Sequence, residues 1–297
     1  MRYWYILLIG IIALIASCED VIEVETPSEP PRLIVDAVFR VDITKDFIPV
    51  EVKVTETNNF FEEVPVTSLE NIVIIKSITD SLGFESSGVS ALAESAPGTG
   101  IYIPDPNFSS DQRIPTSAVA FDIRYDLIIY HKGRKYIAQT KYVPSTPINQ
   151  LSIGPGRSSS NDETEVVLGF ADDSGQDNNY VFDFGFGEYL VSDDRFYQGQ
   201  QFDFSYYYDR KFEPGTTLTV SILGADKTFF NYMDQLLEQT DDSQGPFQTP
   251  KGTVRGNIFD ITELDNRDVF DNTGEPYVFP LGYFAIIQEY KGEITIQ

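Results

Sequence analysis

The chain holds one histidine, His131, and one cysteine, Cys18, so few arrangements for nucleophilic or metal chemistry are open to it. A serine or cysteine nucleophile needs a base within reach. His131 stands beside Lys132 and Gly133, a turn signal, and is expected to be an exposed turn residue rather than a general base. No Gly-x-Ser-x-Gly elbow occurs. Zinc favours clusters of His and Cys, which a single residue of each type does not supply. Gly154, Pro155 and Gly156 lack the Lys-Ser/Thr pair and the helix of a phosphate-binding loop. Carboxylates are abundant, with 46 Asp and Glu against 21 Lys and Arg. Paired acids could hydrolyse glycosides, but acids this common single out no pair, and no catalytic residue is assigned.

Two acidic stretches could hold a hard cation. Asp172, Asp173 and Asp177 lie around Ser174 and Gly175 with Asn178 and Asn179 behind them, a set of oxygen ligands that suits calcium. The stretch lacks the EF-hand spacing and its distal bidentate Glu, and the simpler reading is a polar hairpin between two strands. Glu263, Asp265, Asp268 and Asp271 pose the same choice. The third candidate is aromatic. Tyr206, Tyr207 and Tyr208 follow Phe204 on one expected strand, and tyrosines make large contacts at low entropic cost. Alternation puts Phe204, Tyr206 and Tyr208 on one face and leaves Tyr207 as the exposed member, unless the strand is buried on both sides. Phe270, Tyr277 and Phe279 are weaker aromatic candidates.

Cys18 has a different environment. Arg2 precedes an apolar run over residues 5–15, then Ala16, Ser17 and the cysteine itself. A positive start, a short apolar stretch and small residues make a secretory signal. The run is shorter than the roughly 20 apolar residues that span a bilayer. Ile15, Ala16, Ser17 and Cys18 resemble the bacterial lipobox, in which the cysteine is acylated and becomes the first residue of the mature chain. Each buried lipid methylene contributes about 0.8 kcal/mol, so several acyl chains anchor firmly where one binds only marginally. Residues 19–32 are acidic and carry Pro27, Pro30 and Pro31, the composition of an extended tether.

Cleavage before Cys18 would leave 297 − 17 = 280 residues, enough to bury a sizeable core. The net charge is −25 for the whole chain and −26 once Arg2 is removed. Such acidity argues against nucleic acid as a partner. With the cysteine acylated, no disulfide remains, and packing alone must hold the fold.

The elements that must position these residues read as strands. Leu33, Val35, Ala37, Phe39 and Val41 alternate, as do Val50, Val52 and Val54. Further runs fall at 72–80, 101–103, 119–130 and 135–143, then at 165–171, 179–190, 201–208, 217–223, 279–290 and 294–296. Tyr180, Phe182, Phe184 and Phe186 are expected on one face. One helix is expected over 226–239, with Asp226 as its N-cap and an apolar stripe of Phe229, Phe230, Met233, Leu236 and Leu237. The expected fold is all-β with that single helix: a signal over 1–17, a tether over 18–32, an immunoglobulin-like β-sandwich over 33–145, and a second β domain over 146–297.

The order of these features resembles a Bacteroidota surface lipoprotein family catalogued as domain of unknown function 4249. The resemblance rests on Cys18, Glu19, Asp20 and Glu23 at the opening, and on Pro31, Arg32 and Leu33. It continues through Tyr125, Leu127, Tyr136, Ala138, Val143 and Pro144, then Phe230, Tyr232 and Met233. Gly245, Pro246, Phe247 and Pro250, Gly256, Asn257 and Ile258, and Leu281 to Phe284 complete it. Residues 259–280 depart from the family pattern as an acidic insertion. The resemblance implies that Glu19, Asp20 and Glu23 signal export to the cell surface. It also implies a non-enzymatic lipoprotein on the outer membrane, serving as an accessory or ligand-binding subunit of a TonB-dependent transporter. A surface adhesin or glycan-binding protein is the alternative, and a hydrolase using paired acids the second. No cofactor is expected beyond a structural calcium.

Overall fold

Alternation sets the first strand. In β1 (Leu33–Val41) all five odd-numbered residues are buried while their neighbours are not, the signature of a strand with one covered face. It pairs antiparallel with β2 (Val52–Glu56), whose Val52 and Val54 are buried on the same side. β3 (Asn71–Thr79), β4 (Glu85–Glu94), β5 (Ile101–Pro104), β6 (Ile123–His131) and β7 (Arg134–Val143) extend the sheet in the order β1-β2-β5-β4-β3-β6-β7. The computed structural model describes residues 31–58, 67–79, 82–156, 163–175, 177–240, 253–264 and 279–297. β6 and β7 form the hairpin signalled by Lys132 and Gly133, which take φ of 50° and 71°, the positive values a two-residue primed turn requires. Expected strand 119–130 starts later, at Ile123, because a 3-10 turn over Thr116–Ala120 follows Pro115. β4 escaped the pattern, since its serines and small residues carry little β signal.

The second half supplies β8 (Ile148–Ile153), β9 (Thr164–Ala171), β10 (Asn179–Asp183), β11 (Tyr189–Asp193), β12 (Gln201–Tyr208) and β13 (Thr217–Ala225). The helix α1 (Lys227–Thr240), β14 (Ile258–Asp260) and the 15-residue β15 (Leu281–Thr295) follow. β15 is the element that decides the architecture. Its first half runs parallel to β1, and Ile286 and Ile287 also pair parallel with Tyr142 and Val143 of β7. The first seven strands therefore close into an eight-stranded barrel through a strand from the far end of the chain. The immunoglobulin-like sandwich expected for 33–145 is not what these pairings build. Two facing sheets need two open edges each, and here the edges meet. Inside the barrel, Phe39 and Phe284 meet edge to face at 5.6 Å, among Ile72, Ile74, Tyr125, Leu127 and Ile129, all nearly inaccessible. Full burial of each such side chain contributes about 1.5–3 kcal/mol.

The second half of β15 leaves the barrel and pairs with β13, which carries β10 and then β11 outward. A separate three-stranded sheet, β12-β9-β8, faces this extension. Val166, Leu168 and Phe170 on one side, and Phe182, Phe184, Val220 and Ile222 on the other, fill the space between. α1 covers the outer face of the extension, burying Phe229 and Phe230 against Val181, Leu223 and Tyr283. The helix begins as the sequence indicates: Asp226 Oδ1 accepts the Phe229 backbone N–H at 2.7 Å. The expected strand 179–190 is instead β10, a turn and β11. Phe186 therefore leaves the buried face of Tyr180, Phe182 and Phe184 and sits on the turn, 59% exposed with φ of 56°.

Candidate functional site

The acidic stretch after β9 is not a hairpin. β9 belongs to the three-stranded sheet and β10 to the barrel extension, so residues 172–178 cross from one layer to the other. The crossing needs an internal tie, and Asp172 provides it. Its Oδ1 accepts the Tyr180 hydroxyl at 2.5 Å and Asn178 Nδ2 at 3.3 Å, while Oδ2 accepts the Gly199 backbone N–H at 2.8 Å. The Asp172 N–H in turn donates to the Gln200 carbonyl. A buried carboxylate is tolerated when its oxygens are met by donors in this way. Burial first, then the hydrogen bond to Asp172, pushes the Tyr180 phenol well above its ordinary value. Tyr197, buried nearby, is pushed up to about 12.

Asp173 and Asp177 are held separately. Asp173 Oδ1 accepts the Gly175 N–H at 3.0 Å, and Asp177 Oδ1 accepts Gln198 Nε2 at 3.1 Å. The three acids singled out from the sequence do not converge on one point. Among the described residues no three His, Cys, Asp or Glu side chains are arranged to hold one metal ion.

Asp177 does line a groove of about 760 Å³ beside this crossing, within the range of small-molecule sites. Asp193, Asp194, Arg195, Asp226 and Lys227 also line it. Each comes from the end of an element: Asp193 closes β11, Asp194 and Arg195 form the 3-10 turn after it, and Asp226 and Lys227 begin α1. Arg195 Nε donates to Asp193 Oδ1 at 2.8 Å and holds that carboxyl below the usual range. Asp194 is 3% exposed, and its Oδ2 accepts the Asn178 N–H at 2.7 Å. Lys227 Nζ lies 4.3 Å from the Phe230 ring centroid. Asp193, Asp194 and Arg195 were not legible as site residues from the sequence. The one available signal was an Asp pair ending a strand, too common to act on.

The tyrosines go elsewhere. Tyr208 is fully buried and donates its hydroxyl to the Phe184 carbonyl at 2.7 Å. Tyr206 stacks on Phe184 with centroids 3.7 Å apart and donates to Glu188 Oε2 at 2.7 Å. Tyr207 faces away from them, as alternation requires, but it is half-buried and donates to Glu165 Oε1 at 3.1 Å. That buried carboxylate also takes the Ser205 hydroxyl and the Gly156 N–H. The three tyrosines are thus shared between two faces of one sheet and form no common binding surface.

His131 overturns its expectation. It is 4% exposed, and its Nε2 lies 2.9 Å from Glu56 Oε1. Lys132 Nζ contacts both Glu56 oxygens at 2.7 and 2.8 Å. The reason is register: Leu33 pairs with Glu56 at the same end of the barrel as the β6–β7 turn, so the hairpin folds over a carboxylate. Cys18, Glu19, Asp20 and Glu23, with Asp265, Asp268, Phe270, Asp271 and Tyr277, lie outside the described residues. Phe279 is described: the guanidinium carbons of Arg32 and Arg255 lie 4.5 and 3.9 Å from its ring centroid. Among the described residues no helix is long and apolar enough to cross a membrane.

A family model described as "Domain of unknown function (DUF4249)" matches residues 19–266. The match begins directly behind Cys18 and stops inside the acidic stretch 259–280, so the block at 281–284 lies beyond it. No curated protein matches the chain.

Proposed function

The chain belongs to the DUF4249 family, and on that footing we propose that it is a lipid-anchored surface protein of a Bacteroidota outer membrane. In this reading it acts as a non-enzymatic, ligand-binding accessory of a TonB-dependent transporter. The observation that carries the anchoring is the position of the family match, which opens at residue 19 immediately after the cysteine of a lipobox-like sequence. Acyl chains on Cys18 confine the protein to the membrane plane and raise its effective concentration at a neighbouring barrel. The acids at 19, 20 and 23 serve as the export signal. We read the second half as a sandwich-like β domain joined to the barrel through β15.

A non-catalytic role is supported by the fate of the chemically capable residues. Asp172, Glu165, Glu56 and His131 are all held by internal partners that a folded scaffold requires. An adhesive reading has one observation in its favour. Phe186 displays its ring from a strained turn, with the Arg210 guanidinium 5.1 Å from it.

Two measurements test the proposal. Cys18→Ala should move the protein from the membrane fraction to the soluble fraction; retention in the membrane would overturn the anchor. A mild-detergent pull-down from native outer membranes should bring down a β-barrel receptor in stoichiometric amount. A protein that always purifies alone would remove the transporter role and favour the adhesive one.

A further inference from the structure

The turn between β10 and β11 holds three residues in the left-handed region in succession: Gly185, Phe186 and Gly187, with φ of 75°, 56° and 81°. Two are glycine, the residue that region favours. The third is a phenylalanine, and a bulky side chain there is an outlier. The turn is nonetheless well fixed. Phe184 N–H donates to the Glu188 carbonyl, Glu188 N–H to the Gly185 carbonyl, and Gly185 N–H to Asp183 Oδ1 at 2.8 Å. Backbone strain persists only where the surroundings over-determine it, and it clusters at binding sites. Burial does not account for the ring. It is more than half exposed, leaning on Phe212 with centroids 5.3 Å apart and standing edge-on to Tyr208 at 6.5 Å.

The groups beside the ring suit a neutral polyol. The Arg210 guanidinium lies 5.1 Å from the Phe186 centroid and donates through Nη2 to Glu188 Oε1, while Glu188 Oε2 accepts the Tyr206 hydroxyl. Among the described residues no other acceptor meets Arg210. Its further N–H donors and the remaining lone pairs of Glu188 therefore stand together at the edge of an exposed apolar face. Residues 209–213 carry two acids and two bases. Charge nearly cancels here in a chain of net −25, so neither sign of ion is favoured. A sugar hydroxyl donates and accepts at once. The C–H bonds of a pyranose, polarised by its oxygens, suit the negative face of an aromatic ring. A protein partner would need about 1,000 Å² of interface. This patch is one exposed ring and the half-buried Phe212, followed and preceded by exposed charged residues. We propose that the Phe186 turn is a carbohydrate-binding site. Phe186 stacks on the C–H face of a pyranose of the gluco series, and Arg210 and Glu188 bond its equatorial hydroxyls. This rests on the ligand-binding part of the proposed function, and on neither the anchor nor the receptor.

The test is isothermal titration of the purified full-length protein with cellotetraose, maltotetraose and chitotetraose. At least one should bind saturably, with an affinity little changed by salt because the ligand carries no charge. Phe186→Gly relieves the backbone and leaves Phe212 and Tyr208 in place. It should keep the circular dichroism of the wild type and weaken binding by about tenfold or more, as loss of an aromatic anchor does. Arg210→Gln, at an exposed position, should weaken it by about fivefold through lost hydrogen bonds, and it carries the test if the first variant misfolds. The proposal is overturned if none of the three sugars binds, or if binding survives both substitutions unchanged. That failure would leave the membrane-fraction and pull-down tests standing, and a pull-down without a receptor would leave this titration standing.

Discussion

The phenol of Tyr180 donates to Asp172 across 2.5 Å, and this bond links the end of β9 to the start of β10. Both residues are buried, and the same carboxylate receives the Gly199 N–H. Asp172→Ala would strand these donors, so it should lower unfolding stability by about 3 kcal/mol. Tyr180→Phe, which removes one donor and leaves the others satisfied, should cost about 1 kcal/mol. Urea unfolding of both variants checks the ordering; a larger loss for Tyr180→Phe would disprove the hub.

Asn257 stands at the seam of the barrel. Its amide donates to the Phe284 carbonyl at 2.7 Å and to the Gln139 carbonyl at 3.3 Å, while its Oδ1 accepts the Phe284 N–H at 2.8 Å. The side chain thus bridges β15 and β7 just before their short backbone pairing begins. Asn257→Asp keeps the acceptor and removes both donors, and should destabilise by about 2–3 kcal/mol. Hydrogen exchange should show faster loss of protection at Ile286 and Ile287 than in β9. Uniform protection in the variant would mean the seam does not need this residue.

Glu56 links stability to pH. Burial would raise its carboxyl, but the hydrogen bonds from Lys132 and His131 outweigh burial and hold it below the usual carboxylate range. A depressed carboxyl contributes stability that is present above its unfolded value and is lost as pH falls through the folded one. Glu56→Gln should therefore be less stable than the wild type by about 1 kcal/mol at pH 7, discounting for the exposed Lys132 ammonium. The gap should close below about pH 4. Chemical unfolding from pH 7 to pH 3 measures it; a gap that widens in acid would reverse the assignment.

Gly282 and Gly256 let two segments touch. Gly282 has φ of 95°, and a Cβ there would collide with the Val35 carbonyl; a Cβ on Gly256 would strike Gly282 itself. Gly282→Ala should cost about 3 kcal/mol or more, combining strained backbone with steric displacement of β1. Thermal unfolding of this variant beside Gly98→Ala, whose φ is also positive but whose surroundings are open, separates the two terms. Equal losses would show that backbone strain alone matters.

Much of the fold was legible because alternation is local. The buried odd positions of β1, the turn at Lys132 and Gly133, and the Asp226 cap of α1 follow from periods of 2 and 3.6 and from the chemistry of single residues. So did the reading of the chain as mainly β with one helix, and the family resemblance at its opening. Partner choice between strands is not local. Nothing in the apolar pattern of β15 says that it lies between β1 and β7, and that placement turns an expected sandwich into a closed barrel. The candidate site followed the same division. The sequence by itself determined which acids exist and that one His and one Cys do not make the His/Cys cluster that zinc favours. Only the tertiary structure decided that Asp172 is an internal tie, that Tyr208 is core with the partly buried Tyr206 packed against it, and that His131 is buried on Glu56. It also brought Asp194, 16 residues beyond Asn178, to the side of a groove, where its Oδ2 accepts the Asn178 N–H. Burial and long-range hydrogen bonding set what a carboxylate can do, and both depend on contacts that the order of residues does not display.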